Sequence, residues 1–188
     1  MRVFRAAIDG LADAPHHAVV RAIGAAELAR VDEATALAWL PIETNFVFVR
    51  AVAEVLGPEN AAEFYRRMTL RDFQTSVFEA FVSGARRLFG VDVGGFFKQV
   101  PAGFSLLFRD AAAIAMPERS STHALLVFDD LAEEVASEPL WLESVRTGLV
   151  AVYDLVHARG TITLEIDQHE RRASFHCEWT ASRARVAR

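Results

Sequence analysis

The last third of the chain alternates more strictly than any other part, and that constrains what it can fold into. In residues 160–179, Ile162, Leu164 and Ile166 alternate with Thr161, Thr163, Glu165 and Asp167. After a polar turn, Ala173, Phe175, Cys177 and Trp179 alternate with Ser174, His176 and Glu178. A side-chain period of two places one set on each face of a sheet, so this stretch reads as a hairpin with one apolar face. The same parity bears on chemistry. Cys177 points inward, His176 points outward toward Glu165 or Thr163, and His169 belongs to the turn, so the three cannot converge on one ion while the strands stay regular.

Two further apolar runs, "AAIAM" and "HALLVFDD", flank the polar loop "PERSST" and read as strands. Between them and the hairpin, Trp141, Val145, Leu149, Val152 and Val156 recur at helical spacing. Ser137 is the expected cap of that helix and Gly160 its expected stop. Everything upstream is helical in pattern. Residues 16–40 read as one helix or two short ones. Pro41 opens a helix burying Phe46, Val49, Val52, Ala53 and Leu56, and Gly57-Pro58 ends it and starts another. Thr69 with Asp72 three residues on is a capping pair for a helix with Phe73, Val77, Phe81 and Leu88 on its apolar stripe, ended by Gly90. Asp92 caps the next, which Pro101 kinks or ends. The expected fold class is α+β: a helical N-terminal layer packed on a four-stranded antiparallel sheet in strand, strand, helix, hairpin order. A chain of 188 residues is of single-domain size, with its helical part over about 1–110, its sheet part over about 111–180 and a short basic tail at 181–188.

The net charge of −5 offers no field for gathering phosphates, so nucleic acid is not an expected partner. No apolar run is long enough to span a bilayer, no secretory leader is evident, and one cysteine forms no internal disulfide, so the expected compartment is the cytoplasm. His16 and His17 are adjacent and diverge, while His123 and His157 are isolated, so no zinc site and no cofactor is expected. Ser121, His123 and Asp129 or Asp130 are residue types of a nucleophilic triad, but no nucleophile elbow accompanies them. "DDLAEEVASE" lacks the spacing of a calcium loop, and "GVDVGG" lacks the lysine and the spacing of a phosphate loop.

Aromatic content is the remaining signal. Fourteen phenylalanines include Phe96, Phe97, Phe104 and Phe108, gathered around Pro101 and Gly103. A broken aromatic helix against a sheet is where an apolar pocket can open. Phe96, Phe104, Phe108 and Trp179 are the candidate ligand-binding residues.

The order of elements resembles the ligand-binding fold of heme–nitric-oxide-binding domains, 4-vinyl reductase domains and TRAPP trafficking subunits. "AWLPIETNFVFVRAVAEVLG", "FFKQVPAGFSLLFRDA" and "ASFHCEW" are similar to a myxobacterial paralogous family of unknown function. The heme-binding relatives carry a proximal histidine on a helix ahead of the sheet and a Tyr-x-Ser-x-Arg set for the propionates. This chain has no histidine between His17 and His123 and no Tyr-x-Ser-x-Arg. TRAPP subunits carry an acyl chain on a helical cysteine, whereas Cys177 belongs to a strand. The resemblance therefore implies the scaffold, with its pocket, rather than the cofactor. The expected function is a non-catalytic sensory or interaction domain that takes a small apolar ligand and signals to a protein partner. The alternative is a ligand-free adaptor or dimeric scaffold that self-associates; a hydrolase ranks third.

Overall fold

The computed structural model describes residues 1–35, 38–73 and 93–180. Three short helices, α1 (Arg2–Asp9), α2 (Asp13–Ile23) and α3 (Ala25–Glu33), precede the long α4 (Ile42–Asp72). Next come α5 (Val93–Leu107), the strands β1 (Ala113–Arg119) and β2 (His123–Asp129), a single turn α6 (Glu133–Ala136), α7 (Pro139–Leu155), and the strands β3 (Gly160–Asp167) and β4 (Arg172–Trp179). The strands lie in the order β1-β2-β4-β3, every neighbour antiparallel. This is the expected α+β class and element order.

The hairpin register follows from its parity: Ile162 lies opposite Cys177, Leu164 opposite Phe175 and Ile166 opposite Ala173. Ala173, Phe175 and Cys177 are wholly buried, as are Ala124, Leu126 and Phe128 on β2. Slipping the register by one residue would drive this set into water and bring Glu165 and His176 inside. The free margin of β1 contains Pro117, which has no amide to donate, and the β1–β2 register shifts between Ala115 and Glu118. That irregularity lets the strand continue to Arg119, beyond the apolar run read from the sequence.

At Gly57, α4 is an elbow. This residue adopts φ 74°, ψ 167°, a conformation that L side chains rarely enter. The Tyr65 hydroxyl donates to the Val49 carbonyl at 2.9 Å. Sixteen residues of straight helix would span about 24 Å, so the two arms must fold toward each other. Phe4 sits between them, 5.4 Å from Phe48 on one arm and 5.7 Å from Phe64 on the other. The first arm is covered on two sides, since Phe46 meets Trp141 of α7 while Phe48 meets Phe4 of α1. A single apolar face, as the sequence suggests, underestimates this burial.

Ion pairs across the chain fasten α4 to α7. Arg66 donates through Nε and Nη2, each at 2.6 Å, to the two oxygens of Asp154. On the other arm Arg50 pairs with Glu138, whose side chain is almost fully buried at the start of α7. Along its other flank α7 meets β3, where Arg146 donates to the Ile162 carbonyl and the Tyr153 hydroxyl to that of Thr161.

Several local expectations give way to packing. Thr69 caps nothing: it lies inside the second arm and donates its hydroxyl to the Tyr65 carbonyl. Ser137 follows α6 and donates its hydroxyl back to the Glu133 carbonyl, while Glu138 and Pro139 start α7. Gly160 does not stop α7 but begins β3, where a Cβ would lie 2.3 Å from the Glu178 carbonyl oxygen. The α5 helix runs through Pro101. One missing amide bond is outweighed because Phe96 and Phe97 before it and Phe104 after it are all buried. Val77, Phe81, Leu88, Gly90 and Asp92 lie outside the described residues.

Candidate functional site

Polar, chemistry-bearing side chains lie on the outside. His123, His176 and Glu165 project from the outer face of the sheet, as parity requires, and His176 Nε2 is 3.4 Å from Glu165 Oε2. His16 stands 3.4 Å from Asp9, and His17, His157 and His169 are exposed. Ser121 is exposed in the loop before β2. His123 opens that strand, and Asp129 closes it six residues on, about 20 Å away along an extended chain. Asp129 is held by Arg172, and Asp130 is exposed with a positive φ. The triad residue types therefore do not converge. Among the described residues no three His, Cys, Asp or Glu side chains come together around a point where a metal could sit, and no helix is long and apolar enough to cross a membrane.

The inner face of the sheet is apolar and aromatic. Phe104 lies 4.7 Å from Phe108, 4.8 Å from Phe128 and 5.9 Å from Trp141, and Phe108 lies 5.1 Å from Trp141. Phe128 continues the chain of rings to Phe175 at 4.7 Å. Near the other end of β4, Trp179 meets Phe97 at 5.7 Å, and Phe97 meets Tyr153 at 5.8 Å. Among the candidate residues, then, Phe104 and Phe108 come together, Phe96 is buried on the same helix, and Trp179 belongs to a second ring group. Rings at these separations, mostly tilted or edge-on, are in their favoured arrangement. Trp141, Phe128 and Tyr153 were not among the sequence candidates. The parity of β2 places Phe128 inward, and the helical stripe contains Trp141, but neither pattern shows which rings meet across so much intervening chain.

Burial disfavours the ionised form of the Cys177 thiol and the Tyr153 phenol inside this layer. It pushes the Cys177 thiol up to about 12, leaving it protonated and without nucleophilic character at neutral pH. The Tyr153 phenol is raised as well, chiefly by burial and further by Cys177 and Glu178. Both groups are neutral and already hydrogen-bonded to backbone carbonyls, the Tyr153 hydroxyl to Thr161 and the Cys177 thiol to Phe175.

A concavity lies in the elbow of α4. Arg50, Ala53 and Glu54 line it from one arm, Pro58, Ala61, Ala62 and Tyr65 from the other, and Leu140, Glu143 and Thr147 from α7, enclosing about 490 Å³.

No family model matches the chain, and no curated protein does either. Among solved structures the likeness is extensive. The Fe(II) unliganded H-NOX protein from K. algicida superposes with a TM-score of 0.65 at 13% identity, covering 97% of each chain. An oxygen-binding H-NOX domain related to soluble guanylate cyclases, in its oxygen complex, gives 0.59 at 10% identity over 100% of this chain and 96% of its own. A point mutant of the T. tengcongensis H-NOX gives 0.59 at 9% identity over 95% of this chain and 94% of its own.

Heme iron needs an axial donor inside, and its propionates need cations. Residues 18–122 contain no histidine and no cysteine, and all six histidines of the chain lie outside those limits, on the positions described above. The face that α5 turns inward is Phe96, Phe97 and Phe104. Cys177 is the one inward thiol, held protonated by burial. The residues present do not fit heme. The chain thus has the fold of the H-NOX domains, and the interior of its described residues is aromatic.

Proposed function

We propose that the chain acts as one non-catalytic sensory or interaction domain, in which a small apolar ligand binds between α5 and the inner face of the sheet, beside Phe96, Phe104, Phe108 and Trp179. The observation that carries this reading is the separation of chemistries across the sheet: rings and a neutral thiol inside, every histidine outside. The likeness to H-NOX domains supports it, because one of those neighbours binds oxygen in the corresponding fold. Fold likeness alone transfers a scaffold, not its ligand. Occupancy in this reading is reported to a protein partner through the helices that α4 joins, and the domain works in the cytoplasm.

Native mass spectrometry of freshly purified protein tests it, read against the denatured mass and the absorption spectrum. The expected result is one small apolar molecule retained by the wild type and lost from Phe108→Ala. Added hemin is expected to give no ligated heme spectrum. A bound heme, or a clean apo mass with no uptake of hydrophobic probes such as anilinonaphthalene sulfonate, would overturn the ligand reading.

The tight ring contacts of Phe104 with Phe108 and Phe128 favour a second reading, a ligand-free adaptor or dimeric scaffold. A clean apo mass together with a concentration-dependent dimer would select it.

A further inference from the structure

We propose that the cleft in the elbow of α4 is a separate binding site for a small amphiphilic cation, an apolar body bearing a protonated amine. The cleft exists because its walls are short. Ala53 faces it from one arm and Pro58, Ala61 and Ala62 from the other, and Tyr65 and Thr147 close it with their hydroxyls already given to the Val49 and Glu143 carbonyls. Its volume, about 490 Å³, suits a ligand of a short alkyl chain or one or two rings. Leu140 lies on its α7 wall and is 45% exposed, while the next two residues, Trp141 and Leu142, are buried. A ligand body lying on Leu140 would cover apolar surface that the protein leaves in water.

Charge decides the class of ligand. Of the three charged side chains in the lining, Arg50 is committed to Glu138 and Glu143 to Arg146. Glu54 is exposed and has no ion pair or hydrogen bond among the described residues. The lining therefore presents one uncompensated carboxylate and no free cation, which favours an ammonium head group and disfavours a carboxylate or phosphate. The cleft shares no residue with the ligand site proposed between α5 and the sheet, so its fate does not depend on that reading.

Calorimetric and amide-shift titrations of the full chain with n-hexylammonium, n-hexanol and n-hexanoate test this. Saturable binding of n-hexylammonium at millimolar concentration is expected, strongest of the three, with shifts centred on Ala53, Ala62 and Leu140. Glu54→Gln is expected to weaken it about fivefold, the worth of one exposed charge pair, and to bring it level with n-hexanol. Ala62→Leu, filling the cleft, is expected to abolish binding with the circular dichroism unchanged; Ala53→Leu, on the opposite wall, repeats the test should Ala62→Leu not fold. Equal or tighter binding of n-hexanoate, binding that survives a folded filling variant, or no saturation by any probe would overturn the proposal.

Discussion

The hairpin β3–β4 and the elbow of α4 both bury aromatic side chains, but they fix their geometry by different means. In the hairpin the geometry is distributed, since each of eight paired positions from Gly160–Trp179 to Asp167–Arg172 agrees on one register. In the elbow it is concentrated at Gly57, whose backbone conformation decides whether Phe48, Phe64 and Tyr65 can gather around Phe4. A distributed constraint tolerates the loss of any one backbone preference and suffers mainly from lost volume. A concentrated one tolerates volume changes along either arm and suffers from a single methyl group at the hinge.

The largest expected effect lies in the hairpin. Phe175→Ala removes a fully buried ring that packs on Phe128, and a loss of about 4 kcal/mol in urea denaturation is expected. A loss below about 1 kcal/mol would mean that the inner face is not the common core of strands and helices. Next comes Gly160→Ala, where the new Cβ meets both the Glu178 carbonyl and the Tyr153 ring; about 3 kcal/mol is expected. This is the one place where the hairpin behaves like the elbow, because a close approach hangs on one glycine. Gly57→Ala should cost about 2 kcal/mol through backbone strain alone, since no atom lies within 4 Å of the added Cβ. A neutral result would show that the two arms, rather than the hinge, set the bend.

Protonation separates the regions further. Asp72, at the end of the second arm, has its carboxyl raised from 3.8 to about 6, chiefly by burial and against the pull of the Met1 ammonium. Raised in the folded state, the carboxyl contributes stability fully below about pH 4, and that contribution is lost as pH rises through about 6. Asp72→Asn should therefore flatten the stability profile across that window, by on the order of 2 kcal/mol, in melts taken from about pH 4 to 7. An unchanged profile would remove the proton from the elbow's energetics. The smallest effect is expected on the outer face of the hairpin, where His176→Ala should change stability by no more than about 0.5 kcal/mol, as a screened pair with exposed Glu165 is worth little.

What the sequence made legible follows the same division. The strands, their parity and the inward place of Cys177 were readable because alternation is a property of neighbours in the chain. The Gly57-Pro58 break was readable for the same reason. Thr69 and Pro101 misled because each is a local signal for an end where the helix instead continues, Thr69 with its hydroxyl on the Tyr65 carbonyl one turn back and Pro101 among buried phenylalanines. Ser137 misses its helix by one residue, since it closes α6 and Glu138 takes the cap position of α7. The candidate site was legible as composition and not as geometry. Nothing local places Phe108 against Trp141, or Trp179 against Phe97 rather than Phe104.

Cys177 has a use that follows from its silence. Its side chain lies on the inner face of the sheet, wholly buried under the rest of the core, and burial keeps it protonated, so an alkylating reagent reaches it only when that face is uncovered. As the chain has a single cysteine, each label added to a molecule records that this one buried position was reached. The thiol is thereby a built-in reporter for the innermost part of the protein: its labelling rate follows the population of molecules with that face open and, where reagent outpaces reclosing, the opening rate itself.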